Sequence, residues 1–239
     1  MKKKYCCPLF FLFAFNMTAY CQGINGSGHV VSQSRKVKDF SVIRVDIAAT
    51  IYLDSLTNDP DVRIEAEDNF MGYILCQNDG DALVIKNKSD VWFNTDKGIK
   101  VYVPYSQLSK LISISSGNII SHKGSVRAAV LEVETNGSGL IDLRVSCNKL
   151  KVKKDGSSIV KLNGNCNELE GRLKGSGNMD ARTLTAGNVK LDVRGSVGAQ
   201  VKCTSTLDVV LGGSANVVYL GDPVVTKRLE GSGNVAKVN

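Results

Sequence analysis

The sequence predicts an all-β protein: a right-handed parallel β-helix, or solenoid, of short coils cornered by Gly-Ser, preceded by an N-terminal β-rich region. Three observations carry this. A Gly-Ser phrase recurs from Leu111 to Asn239, with its serines at Ser116, Ser138, Ser157, Ser176, Ser196, Ser214 and Ser232. The steps between them are 22, 19, 19, 20, 18 and 18 residues, a near-constant period that marks stacked structural repeats. Between the phrases, apolar and polar residues alternate with the period of a strand, and no amphipathic helix of useful length is present. Composition agrees. Aromatic residues make up 6% of the 239 residues, glycines number 23, and the apolar content is mainly Val, Leu and Ile.

The chain opens on a secretory signal, read as residues 1–21. Lys2, Lys3 and Lys4 form the basic start, and Pro8 to Phe15 the apolar centre. Thr18 to Gln22 forms the cleavage region, with Ala19 at −3 and Cys21 at −1. The apolar run is too short to span a bilayer, so cleavage is preferred to a membrane anchor. Acylation of Cys21 is disfavoured by Tyr20, which stands where a lipoprotein has a small residue. Export to the periplasm, outer-membrane surface or medium follows, with no membrane-spanning segment in the mature chain.

Residues 22–110 form the N-terminal β-rich part. Gly26-Ser27-Gly28-His29-Val30-Val31 is an isolated early copy of the repeat phrase, expected to pair beside the first coil near Ile119, or else with the final coil of this or a neighbouring chain. Strands are expected at 40–45, 50–53, 62–66, 82–86 and 98–104, where apolar residues alternate with polar ones. Asn58-Asp59-Pro60-Asp61 and Asn78-Asp79-Gly80-Asp81 are turns. Residues 68–75 read as one short helical turn capped by Asp68 or Asn69.

Residues 111–239 form the solenoid. After each Gly-Ser corner comes a strand, as in Ile141, Leu143 and Val145. A polar break follows, at Asn148, Asn167 and Asn188. A second strand then closes the coil, as in Leu150 and Val152. Ile141, Leu143, Leu150, Val152, Val160, Leu162, Leu169, Leu191, Val193, Val209 and Leu211 are expected to share one core. A single coil cannot bury its apolar face, but copies stacked about 4.8 Å apart close a continuous one. The Gly-Ser phrases are corners rather than phosphate cradles, because no helix follows them.

Charge and cysteine content narrow the function. Without Lys2, Lys3 and Lys4 the 30 Lys and Arg fall to 27, against 23 Asp and Glu. The signs alternate along the chain, which makes a mixed solvated surface and excludes a nucleic-acid stripe. Cys76, Cys147, Cys166 and Cys203 lie beyond the signal. Cys147 and Cys166 are one repeat apart, so stacking permits a disulfide without requiring it, and packing as free apolar thiols is preferred.

These residues resemble the head GIN domain family, grouped as auto-transporter adhesins of the bacterial envelope. The likeness is carried by Gly26 to Val30, Arg35 to Val37, Phe40 to Val45, Val62 to Asn69 and Ile99 to Pro104. Leu108, Leu111 and the later Gly-Ser-Gly repeats complete it. The resemblance implies an all-β, partly β-helical fold and an envelope or surface location, and it brings no catalytic residues.

The two histidines, His29 and His122, lie far apart in sequence, and no serine sits in a strand–helix elbow, so no triad is expected. Acidic clusters at Asp59/Asp61, Glu65/Glu67/Asp68 and Asp79/Asp81 lack calcium-loop spacing. No catalytic residue, cofactor or metal site is expected. Trp92, Tyr102 and Tyr105 are the candidate ligand-contact aromatics, with core packing as the alternative. A non-enzymatic, adhesin-like binding module for a glycan or surface protein is therefore expected, with oligomers allowed. The alternative is a β-helical polysaccharide lyase or hydrolase, distinguished by carboxylates and cations converging in one groove.

Overall fold

The computed structural model describes residues 22–57, 59–88 and 91–238. The expected signal, with Cys6, Cys7 and Cys21, lies outside them. The N-terminal strands are β1 (Gln22–Asn25), β2 (Val30–Arg35), β3 (Val42–Asp46), β4 (Thr50–Asp54) and β5 (Val62–Glu67). After a 3₁₀ turn at Asp68–Phe70 come β6 (Ile74–Asp79), β7 (Ala82–Asn87), β8 (Val91–Asn94) and β9 (Lys100–Pro104). The repeats supply β10 (Lys110–Ser113), β11 (Asn118–Lys123), β12 (Val126–Gly137), β13 (Leu140–Gly156) and β14 (Ile159–Leu173). The chain continues through β15 (Asn178–Gly195), β16 (Gly198–Gly213), β17 (Asn216–Leu220), β18 (Val224–Gly231) and β19 (Asn234–Lys237).

Seven coils stack in parallel register from β10/β11 to β18/β19. The long strands β13 to β16 each serve two coils, bending at a second corner. The same stack continues below residue 110. β3 and β4 lie on β10 and β11, and β7 and β9 lie in turn on β3 and β4. Chain order and stack order therefore differ. The first-made layer, β3/β4, is sandwiched between two layers made later.

Alternation within each strand becomes vertical columns of buried residues. One column runs Val101, Ile51, Ile119, Ile141, Val160, Met179, Ala199, Val217 and Val235. All are buried, as are the core residues expected from the repeats. In the facing sheet Gly171 takes the place between Val152 and Leu191, whose side chain fills the space a Cβ would need.

The corners are held by a glycine column. Gly156, Gly175, Gly195 and Gly213 have φ of 83°, 88°, 96° and 75°. A Cβ on Gly175 would lie 2.6 Å from the Gly156 carbonyl oxygen, and one on Gly195 would lie 2.6 Å from that of Gly175. Glycine is required twice over, by backbone hand and by the carbonyl below. At the second corner Asn148 and Asn167 fall out of register as expected, but in the next coil the break is at Gly187. Asn188 pairs with Glu168 and Thr206 instead. The residue without a partner is the one that turns the corner, whatever its polarity.

Outward charges alternate between coils as well as along strands. Lys110, Glu132, Lys151, Glu170, Lys190 and Asp208 stand directly opposite one another on six successive coils. Lys110 reaches Glu132 and Glu134 at 3.3 and 3.1 Å, and Lys153 reaches the same pair at 2.8 and 2.7 Å. Lys153 in particular holds both carboxylates below their ordinary range. Each exposed pair contributes little, but a one-coil slip would oppose like charges along the column.

The N-terminal end is roofed. β6 pairs antiparallel with β7, β5 with β9, and β2 with β5. Phe70, Met71 and Ile74 close the core beneath. The early copy of the repeat phrase belongs to this roof and pairs neither beside Ile119 nor with the final coil. Val30 and Val31 pair with Glu67 and Ala66, and Gly26 N–H donates to the Asn94 carbonyl. Gly28 N–H meets the buried Glu67 carboxylate at 2.6 Å. The roof needs an antiparallel strand, and the neighbouring polar edge of β5 supplies the partner. The helical turn is a 3₁₀ turn begun by Glu67, without a side-chain cap. Asp68 instead accepts from the Asn69 N–H and the Ser27 hydroxyl.

Cys147 and Cys166 are in register on adjacent coils, and both are free and buried. Burial pushes their thiols up to about 11 and about 12. Lys154 occupies a core column between Thr135 and Leu173 at 1% exposure. Its Nζ donates to the carbonyls of Gly156, at 3.0 Å, and Ser176.

Leu169→Ala is expected to destabilise the protein by about 2–5 kcal/mol in denaturant unfolding, through lost burial and a residual cavity. Burial holds the Lys154 amine below its ordinary 10.5. Below the folded value both states are protonated, and folding must desolvate a cation. As pH rises through it, the folded lysine loses its proton first, so stability rises towards pH 10.5. Lys154→Met is therefore expected to leave the neutral-pH melting temperature unchanged or higher and to remove this alkaline gain.

Candidate functional site

The outward face of the stack carries its aromatic side chains where the roof meets the first coils. β4, β9 and β11 run side by side, and β5 crosses antiparallel against β9. Alternation that turns Ile51 and Val101 inward turns Tyr52 and Tyr102 outward. Because Tyr52 and Tyr102 are register partners, their rings stack at 5.0 Å and 20°. His122 meets Tyr52 edge-on at 5.3 Å. On the other side of β9, Arg63 is the register partner of Tyr102, with its guanidinium 3.8 Å from the ring centroid. Glu65 ties the row together by accepting from the Tyr102 hydroxyl at 3.3 Å and pairing with Arg63. The result is one row across four strands: His122, Tyr52, Tyr102, Arg63.

A cavity of about 170 Å³ lies against this row. Its walls include Tyr102, Arg63, His122, Lys123 and three carboxylates, Asp54, Asp59 and Asp61. Asp54 is buried, accepts from the Leu56 N–H at 2.9 Å and faces Lys123 Nζ at 3.6 Å. Asp59 accepts from the Asp61 N–H at 3.0 Å, which shapes the loop. Across the 55–61 loop lies a second cavity of about 280 Å³, walled by residues 37–40, the loop, Pro104 and Tyr105. The two share Thr57, Asp59 and Pro104, so the loop divides one groove. Leu56, 70% exposed, stands on that loop. Both cavities offer hydrogen-bond donors and acceptors beside apolar surface, which suits recognition of a polar ligand. Among the described residues no group of three or more His, Cys, Asp or Glu is placed to hold a metal ion.

The three aromatics expected from sequence are not brought together. Tyr102 stands in the row, but its ring lies between Tyr52 and Arg63 and is no bare platform. Tyr105 is buried to 8% exposure and walls the second cavity, and burial pushes its phenol above the ordinary range. Trp92 is half exposed on β8, where its ring lies on the backbone of Gly23 of β1. Its neighbour Phe93 faces the other way, onto Phe70 at 4.6 Å. Sequence reading missed Tyr52, Arg63, His122 and Lys123. A signal existed for Tyr52: Thr50-Ile51-Tyr52-Leu53 and Lys100-Val101-Tyr102-Val103 are two copies of one strand pattern. His29 lies elsewhere, 3.5 Å from Asp68 on the roof.

The molecule is thus a β-solenoid with an antiparallel roof and a polar groove at the join. The family described as "Putative auto-transporter adhesin, head GIN domain" matches residues 39–223, and the chain belongs to it. Among solved structures it resembles a putative adhesin of Bacteroides fragilis, at 24% identity and a TM-score of 0.85, covering 90% of this chain and 100% of that one. A protein of Parabacteroides distasonis named a putative lipid binding protein matches at 23% identity and 0.73, covering 91% and 100%. A putative adhesin of Parabacteroides merdae matches at 20% and 0.70, covering 91% and 99%. No curated protein matches the chain. These likenesses establish the fold. No helix among the described residues is long and apolar enough to cross a membrane.

A double-mutant cycle with Arg63→Gln and Tyr102→Leu is expected to give a coupling of about 0.5–2 kcal/mol in thermal unfolding, the range for a partly exposed cation–π contact. Zero coupling would mean that the guanidinium does not rest on the ring in solution.

Proposed function

We propose that this protein is a non-enzymatic, adhesin-like binding module, exported to the cell envelope or surface, that takes a glycan or a surface protein in the groove around residues 55–61. The observation that carries this is the convergence of three members of the row, His122, Tyr102 and Arg63, with Asp54, Asp59, Asp61 and Lys123 at one cavity, Tyr52 backing the Tyr102 ring. Paired donors and acceptors beside aromatic edges match a ligand rich in hydroxyl or amide groups. The charged lining suits such a ligand better than an acyl chain. The family description and the basic, then apolar, start of the chain support the envelope location.

The same convergence favours a second reading, a polysaccharide lyase or hydrolase, because such chemistry needs clustered carboxylates beside a cation. Asp54 and Asp59 are already engaged in local hydrogen bonds, which supports the binding reading over catalysis. The test is an array of glycans and matrix proteins probed with purified protein, then repeated with Tyr102→Ala and Lys123→Glu. Binding is expected, weakened about 30-fold by a variant that removes a central contact. Binding that neither variant changes would exclude this groove. Release of unsaturated or reducing sugar ends, abolished by Asp61→Asn, would establish the enzyme instead.

A further inference from the structure

The two ends of the stack are unlike. At the roofed end Ala66, Phe70, Met71 and Ile74 are buried. At the other end Val235 of β19 is still buried, but in the β18 sheet the core columns run out into solvent. Leu211 is 1% exposed, but its register partner Leu229 on the last coil is 46% exposed. Val209 is fully buried, and its partner Lys227 is exposed. Leu207 is followed by half-buried Val225. Among the described residues β18 pairs with β16 alone and β19 with β17 alone. Their far edges present N–H and C=O groups in two sheets at once, with apolar core between them.

We propose that this end docks onto the same end of a second copy of the chain, forming a closed two-fold dimer in which β18 of each protomer pairs antiparallel. Geometry selects the occupant. An extended peptide could satisfy one of the two sheet edges but would leave the other edge and the core open. Another solenoid end presents two edges and a core at matching spacing. The roofed end offers no such surface, because its core is closed by the 68–74 segment and its β2 edge carries Ser32, Gln33, Ser34 and Arg35. Head-to-tail growth is therefore blocked, and like must meet like.

Charge fixes the register. Centring the antiparallel pair on Leu229 sets Arg228 of each copy opposite Glu230 of the other, and Leu229 against Leu229 on the axis. Shifting the centre to Lys227 would oppose Lys227 to itself, and centring on Arg228 would oppose two guanidiniums. Within one chain Glu230 already draws Arg228 and, at 3.1 Å, Arg194. The carboxylate is thus held on the outer face, where the partner's Arg228 would arrive.

Sedimentation velocity on the purified protein over a hundredfold concentration range tests this. A dimer is expected, and Leu229→Lys should raise its dissociation constant about 30-fold or more without lowering the melting temperature of the exposed end's own chain. Arg228→Glu and Glu230→Arg should each weaken the dimer, and the double variant should restore it. Leu229→Cys should cross-link two copies under mild oxidation, whereas the more exposed Val224→Cys should not. A monomer at every concentration overturns the proposal. So does a dimer that is indifferent to Leu229→Lys, or that cross-links through Val224→Cys instead.

Discussion

The structure depends on how closely one glycine corner can lie on the next. In a stacked coil the backbone of each turn must sit one strand spacing above the last, and at a corner the carbonyl below points into the space where a Cβ would be. Gly156, Gly175, Gly195 and Gly213 remove that Cβ and adopt the positive φ that reverses the chain. Once the corners close, strands on both sides fall into register, and every inward residue meets its equivalent one coil away. The buried columns and the alternating charges are consequences of that contact.

The repeat also tolerates exceptions, provided volume and hydrogen bonding are kept. Gly171 stands in an apolar column because Leu191 leans into its place. Lys154 stands in another because its amine finds two corner carbonyls, of Gly156 and Ser176. Cys147 and Cys166 behave as small apolar residues whose burial keeps them as thiols. None of these departures moves the backbone, since the ladder hydrogen bonds do not depend on the side chains.

The aromatic row and its cavity lie where the repeat is broken. Regular coils alternate their charges from one layer to the next. At the roof an antiparallel strand is laid against a parallel stack, so Arg63 arrives beside Tyr102 from a segment that no repeat relates to it. The 55–61 loop, which carries the chain from β4 to β5, brings its acidic residues to the same place. The similar solved structures share the scaffold.

The sequence by itself determined the all-β class, the corners and the inward residues, because these are local consequences of a period of two within strands and of glycine's backbone freedom. Ile141, Leu143, Leu150 and Leu191 could be placed in the core from alternation alone. Only the tertiary structure decided the order of the layers, with β3/β4 lying between β7/β9 and β10/β11. Only it decided the antiparallel home of Val30 and Val31, and the meeting of Tyr52, Tyr102, His122 and Arg63. These residues are separated by up to seventy positions, and their contacts come from pairing between strand edges. Pairing of that kind is governed by backbone hydrogen bonds that nearly every residue can make, so it leaves little trace in residue type. Spacing along the chain recorded the coils, and the fold alone recorded what was laid across them.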